Sequence, residues 1–231
     1  YLGMMHIKID SLLDGAKRAK GVTVIIDVFR ASTTAAFVLQ NGAKRILPVA
    51  TAEEGLLLHQ KHPDYISIGE HRGAKLCGFN YGNSPSDIAG VDFTDKTVIL
   101  KTTNGTSGIL AAAGNAQTIL FGCFVNAKAT VEYIIQHQSQ IVTLVGMGTK
   151  GCQSVEDDLC AYFLKAMLEG KTPDFATITQ FIKVSATAQP FFDQNKPEFP
   201  EQDFYYAMQL SKFSFTMFVE KNGKQLEIKK R

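Results

Sequence analysis

Asp27 closes an apolar run, Val22-Thr23-Val24-Ile25-Ile26, and is followed at once by Val28-Phe29-Arg30-Ala31-Ser32-Thr33-Thr34. A carboxylate at the end of a buried strand is placed to ligate a hard cation such as Mg2+, which prefers oxygen donors. The plainer alternative is a carboxylate that caps the next helix or pairs with Arg30. Arg30 offers a planar fork to phosphate, sulfonate or carboxylate; its alternative is a surface ion pair. Ser32, Thr33 and Thr34 open a helical stretch, where free N–H groups and hydroxyls can hold an anion, unless one of them is simply the N-cap.

The same logic recurs at Thr102-Thr103-Asn104-Gly105-Thr106, where Gly105 lets the backbone approach a ligand closely and the following helix begins with free donors. The spacing is not that of a nucleotide P-loop. Gly146-Met147-Gly148-Thr149-Lys150-Gly151 matches GxGxxG after an apolar run, but the acid near the spacing a dinucleotide fold needs, Glu169, closes a helix instead of a strand. A nicotinamide reading is therefore disfavoured. Ser154-Val155-Glu156-Asp157-Asp158 could form a capping box between Ser154 and Asp157. Capping does not account for three adjacent acids, which could also supply metal ligands or a general base. His71, beside Glu70, is an ordinary exposed loop histidine on this reading. Cys77 and Cys123 are expected to be buried, inert thiols.

These residues need a scaffold. Apolar β-branched runs at 22–26, 45–49, 65–68, 97–100, 118–121 and 141–145 alternate with helical patterns at 33–39, 52–61, 105–113, 127–138 and 155–169, and a long glycine-rich loop spans 69–85. Continuous apolar strands alternating with helices predict an α/β fold: a mainly parallel sheet covered by helices on both faces, in three layers. In such sheets ligands bind beyond the carboxyl ends of the strands, and five strand ends here carry charged, hydroxyl or glycine-rich loops. They are expected to share one crevice.

Beyond Gly170 the pattern changes to a helical segment at 173–184, a proline-broken stretch, a short helix at 203–210 and a hairpin over 215–229 turning about Asn222-Gly223. The whole chain is expected to be a single α/β unit, or two intimately packed subdomains. With 231 residues and 45% hydrophobic content it can bury a substantial core. A net charge of +2 gives no field that points to nucleic acid or an anionic membrane as partner, while a small anion needs only local positive charge. No apolar run is long enough to span a bilayer. Residues 1–10 lack the layout of a secretory signal, and four cysteines without pair spacing fit a reduced, cytoplasmic protein. The apolar content and the phenylalanines at 213, 215 and 218 suggest a homodimer, unless those rings are core.

The segments Asp27-Val28-Phe29-Arg30-Ala31-Ser32-Thr33-Thr34, Asn41-Gly42-Ala43, Pro48-Val49-Ala50, Gly69-Glu70, Gly78-Phe79-Asn80-Tyr81-Gly82-Asn83-Ser84-Pro85, Thr102-Thr103-Asn104-Gly105-Thr106, Asn126-Ala127 and Glu156-Asp157-Asp158 occur in this order. Together they resemble the 2-phosphosulfolactate phosphatase family over about Val22 to Gly170. The family pattern has an acid where this chain has Asn80. The resemblance implies a Mg2+-dependent hydrolase of the phosphate monoester of 2-phospho-3-sulfolactate, giving 3-sulfolactate and phosphate on a route associated with coenzyme M. It implies catalytic roles for Asp27, Glu70 and Asp157, metal ligation by Asp27, Glu156 and Asp157, and substrate binding by Arg30, Ser32, Thr33, Lys75, Asn83, Ser84, Thr103, Asn104, Gly105, Thr106 and Asn126. Arg72, Lys101 and Lys150 are further strand-end cations. The chief alternative is a non-catalytic small-anion-binding protein on the same scaffold, which would have no need of Asp27, Glu70 and Glu156 around its ligand.

Overall fold

The computed structural model describes residues 5–231. In chain order, β1 (His6–Ser11) and α1 (Leu12–Arg18) precede β2 (Val22–Ile26), α2 (Ala31–Gln40), β3 (Arg45–Pro48) and α3 (Ala52–Lys61). Then come β4 (Ile66–His71), β5 (Ala74–Lys75), α4 (Pro85–Ile88), β6 (Thr97–Lys101), α5 (Gly105–Ala112), β7 (Thr118–Gly122) and α6 (Ala127–Gln136). The chain continues through β8 (Ile141–Gly146), α7 (Val155–Leu168), α8 (Phe175–Lys183), α9 (Glu201–Ala207), β9 (Met217–Asn222) and β10 (Gln225–Lys230). The strands form one sheet in the order β1-β8-β2-β7-β9-β10-β3-β6-β4-β5. The fold is the expected α/β class with a mainly parallel sheet and a C-terminal hairpin.

β2, the innermost strand of the first parallel group, is buried at every position. Its branched residues suit a pleated surface packed on both faces. The core around it draws on both helix layers and includes Phe37 of α2, Ile109 of α5, Ile134 of α6 and Leu164 of α7. No helix among the described residues is long and apolar enough to cross a membrane.

Several expectations are corrected. The 6–11 segment is an edge strand pairing parallel with β8, His6 opposite Ile141 through Ser11 opposite Gly146. The glycine-rich loop is partly ordered as the β4–β5 pair, with Glu70 opposite Lys75. The hairpin turns one residue later than expected, because Asn222 pairs with Gln225 and leaves Gly223-Lys224 as the two-residue connection. Gly223 takes the positive φ, +63°, that such turns require. Phe213 and Phe218 are buried in this chain's own core, Phe213 edge-on to Phe37 and Phe218 edge-on to Tyr133. Of the three rings, these two therefore take the core alternative.

The hairpin occupies the middle of the sheet, with β9 antiparallel to β7 and β10 antiparallel to β3. Two parallel groups, β1-β8-β2-β7 and β3-β6-β4, are therefore joined with opposite polarity along the ladder. Five strand intervals separate β2 from β6, and a twist of about 20–25° per interval turns them by about 100–125°. That rotation undoes much of the reversal, and the loop after β6 meets the loop after β2.

Candidate active site

The site is built where those loops meet. Asp27 follows β2 and is buried. Its Oδ1 accepts from the N–H of Ala31, the first residue of α2, at 3.1 Å, and the N–H of Gly105, the first residue of α5, faces the same carboxylate. A carboxylate set against helix starts is favoured by their free donors and dipoles. Burial outweighs this, and the charges of Glu70 and Glu156 add to it, so the Asp27 carboxyl is pushed up to about 7. Gly105 is required here. A Cβ on it would lie 2.7 Å from Ala31 Cβ and 2.8 Å from Asp27 Oδ2. Gly105→Ala is expected to destabilise the fold by about 1–3 kcal/mol through overpacking and to lower turnover on the order of 100-fold by displacing Asp27. Thermal melts and steady-state rates would check both.

Glu70, at the end of β4, is buried and clamped through both oxygens, accepting from Gly73 N at 2.8 Å and Thr103 N at 2.6 Å. Asp157, in the first turn of α7, is likewise clamped, accepting from Val28 N and Gly148 N at 2.8 Å each. Its carboxyl is held well above the usual range, first by burial and then by the charges of Glu156 and Asp27. The expected Ser154–Asp157 capping box is absent, since Asp157 is turned to these two loops and Ser154 makes no cap bond. Glu156 is buried, one oxygen accepting from Thr187 Oγ1, and burial raises its carboxyl as well. The loop after β6 also ties to the loop after β8, with Asn104 Nδ2 donating to Gly148 O at 3.0 Å. The ends of β2, β4, β6 and β8 thus converge.

The end of β7 lies beneath this group. Asn126 is fully buried, its Oδ1 accepting from Cys123 N at 3.0 Å and its Nδ2 donating to Phe121 O at 3.3 Å. It closes a turn and presents nothing to a substrate. Ser32 and Thr33 are also fully buried, their hydroxyls donating to the carbonyls of Asp27 (2.6 Å) and Val28 (2.8 Å). They fix the turn that carries Asp27, and both hydroxyl hydrogens are spent on it. Thr102 and Thr106 bond each other, each hydroxyl oxygen accepting from the other's backbone N–H and Thr106 Oγ1 donating to Thr102 O. Thr103 and Lys75 are exposed, and Ser84 is buried with its Oγ donating to Asp203 at 2.9 Å. Asn83 is buried with its Oδ1 unpaired among the described residues. Ser154 Oγ, at the start of α7, is also buried without a partner among the described residues.

Arg30 is not a free fork. Its guanidinium is buried against Asp203 at 2.8 Å and donates to two backbone carbonyls. Asn80, where the family pattern has an acid, accepts through Oδ1 from Ser67 N at 2.8 Å and Ser67 Oγ at 2.9 Å. The GxGxxG segment opens no helix. Thr149 and Cys152 exchange backbone hydrogen bonds around Lys150-Gly151, both at positive φ, which is a hairpin turn. Cys123 is buried and its thiol pushed up to about 11, whereas Cys77 is exposed, contrary to expectation.

Asp203 and Thr187 escaped sequence reasoning, because an acid in the first turn of a short helix and a loop threonine are ordinary by themselves. Nor does the structure gather the metal set as expected. Among the described residues no group of three or more His, Cys, Asp or Glu is arranged to hold a metal ion. Asp157, expected among the ligands, accepts a backbone N–H at each oxygen.

A family model described as 2-phosphosulpholactate phosphatase matches residues 8–222. A protein of Bacillus subtilis (strain 168) named "Probable 2-phosphosulfolactate phosphatase" is 35% identical over 87% of this chain and 88% of its own length. Proteins of the same name from Deinococcus radiodurans and Clostridium acetobutylicum are 32% and 34% identical, over 75% and 76% of this chain and 73% and 79% of their own lengths. With buried carboxylates drawn together at converging strand ends, and a match from β1 into the C-terminal hairpin, the chain belongs to the 2-phosphosulfolactate phosphatase family of phosphoric monoester hydrolases.

Proposed function

We propose that this chain hydrolyses 2-phospho-3-sulfolactate, or a closely similar phosphorylated hydroxyacid, to the hydroxyacid and inorganic phosphate with Mg2+. The observation that carries the reading is the set of buried carboxylates, Asp27, Glu70, Glu156 and Asp157, packed near one another, with burial and the charges of the set raising Asp27 and Asp157 and burial raising Glu156. Such a group calls for a cation, and its donors are all oxygen, the kind Mg2+ takes. Mg2+ commonly rests on one or two carboxylates and takes its remaining ligands from phosphate and water, so the lack of a three-carboxylate cage fits it. Asp27 and Glu156 would hold it, Glu156 through the oxygen that Thr187 leaves open. When bound, the ion would neutralise charge on the phosphoryl oxygens.

The chain's own groups do the rest. Phosphoryl transfer depends mainly on positioning and charge neutralisation. Asp27 receives a hydrogen bond from the attacking water and orients it toward phosphorus. The water oxygen bonds to phosphorus as the bond from phosphorus to the C2 oxygen breaks; one water proton stays with the phosphate, and the other passes by way of Asp27 to the C2 oxygen, which leaves as the hydroxyl of 3-sulfolactate. The N–H groups of Ala31, Ser32, Gly105 and Thr106 are already engaged by Asp27 and Thr102, so the Asn83 side chain, whose Oδ1 has no partner among the described residues, is a buried polar group left for the ligand. Exposed Lys75, at the mouth, suits the sulfonate or carboxylate. Glu70 and Asp157 keep the loops in register.

Phosphate release from 2-phospho-3-sulfolactate should occur with Mg2+, cease in EDTA and return when Mg2+ is restored. Release indifferent to EDTA would remove the metal from the scheme. Saturable substrate binding with no phosphate released from any phospho-hydroxyacid would favour the anion-binding alternative. In oxygen-18 water, a single turnover should place label in phosphate and none in the protein.

A further inference from the structure

We propose that Asp203 is a positioning residue for the hydrolysis, acting through Arg30. Arg30 Nη1 donates to Asp203 Oδ2 and to Glu198 O, each at 2.8 Å, and Nη2 donates to Gly73 O at 3.1 Å. The guanidinium lies 4.8 Å from the Phe199 ring centre and 5.8 Å from that of Phe191. The Arg30 side chain is 3% exposed and that of Asp203 is 0% exposed. A fork so enclosed is not presented to a substrate. The other oxygen of Asp203 accepts from Ser84 Oγ (2.9 Å), Ser86 N (2.8 Å) and Ser86 Oγ (2.6 Å).

One buried ion pair therefore ties together three stretches far apart in sequence: the Asp27 turn, the 70–86 loop and the segment leading into α9. Gly73 is the shared residue. Its carbonyl takes Arg30, while its N–H goes to Glu70. Glu70 in turn holds Thr103 N, two residues before the Gly105 that faces Asp27. The path Asp203–Arg30–Gly73–Glu70–Thr103 runs by direct hydrogen bonds from the C-terminal segment towards the reacting carboxylate. A buried pair contributes little net stability compared with apolar packing of the same volume. The directional donors of the guanidinium supply geometry that packing would not.

This rests on the phosphatase reading, and the test separates the two. In D203N and R30K, kcat is expected to fall about 10- to 100-fold with KM within about threefold, because positioning is lost while binding groups remain. The double variant should be about as impaired as the worse single one, since both break one tie. Amide exchange should quicken in peptides covering 27–34 and 70–75. S86A, which removes one hydroxyl from Asp203 and leaves the ion pair, should shift kcat the same way by less, and serves if D203N does not fold. A rise in KM of about tenfold in R30K with kcat held, and no effect of D203N, would show Arg30 serving substrate directly and overturn the proposal. Unchanged kcat per folded molecule in all variants would overturn it as well. If the wild type releases no phosphate, the functional reading fails, and exchange alone decides the tie: unaltered exchange at 70–75 in D203N would sink it.

Discussion

Asp27→Asn is expected to reduce phosphate release by about 10³-fold or more, the scale of removing a group that orients the nucleophile and helps hold the metal. The same variant should be no less stable than the wild type at pH 8 in EDTA. Asp27 has a folded value of about 7, above the roughly 4 of an unfolded aspartate. The folded state therefore binds the proton more tightly, and the stability this contributes is fully present below about pH 4 and lost as pH rises to about 7. Above that, the metal-free wild type carries a buried charge that the neutral amide of D27N does not. The shift of about three units sets an upper bound near 4 kcal/mol, and coupling among the carboxylates makes about 1–3 kcal/mol the expected gain. Melts of both proteins from pH 4 to 8 would show the curves diverging with rising pH. A D27N protein that loses stability steadily relative to wild type over that range would contradict the raised carboxyl.

Asp157→Ala should do the opposite to stability. It leaves Val28 N and Gly148 N without their acceptor, and an unsatisfied buried donor costs about 1–3 kcal/mol. Relief of the raised Asp157 carboxyl offsets part of this, for a net loss of about 2–4 kcal/mol. For a chain of this size that is a fall in Tm of roughly 5–15 °C. Turnover should drop about 100-fold, because the loops after β2 and β8 are no longer held together. D157N keeps one acceptor oxygen and sets its NH2 against the second donor, so its stability should lie between that of D157A and that of the wild type. A wild-type Tm for D157A would show that the two N–H groups find other partners.

The sequence made one side of this site readable. Asp27 at the end of an all-apolar strand, the hydroxyl-rich turn after it, and the Thr103-Asn104-Gly105 helix start all announce themselves locally, and the structure brings them within bonding distance. The functions of single side chains were less legible. Ser32, Thr33 and Asn126 have the right chemistry for anion binding, yet the nearest unsatisfied groups are backbone carbonyls and N–H groups, and those claim them. Arg30 reads as an anion fork until its partner, 173 residues away, is in place. The His6-to-Ser11 alternation carries a strand signal, although its flanking position draws attention to leaders rather than to a sheet edge. The hairpin was visible from its alternation and glycine, but strand order is a property of the whole chain. Nothing local says that an antiparallel ribbon will sit at the centre of a parallel sheet.

That central ribbon has a consequence for the order of assembly. β9 and β10 follow β1 to β8 in the chain, yet they are what joins β7 to β3. The group β3-β6-β4 can pair from nearby segments, and β8 can join β2 and β7, before the ribbon has left the ribosome. Until it does, β7 and β3 present unpaired edges, the feature that templates association between chains. On that order the ribbon closes the seam between the two groups, and the loops after β2 and β6 come to stand opposite each other with it. Acquisition of the site should therefore coincide with closing of the seam, late in folding.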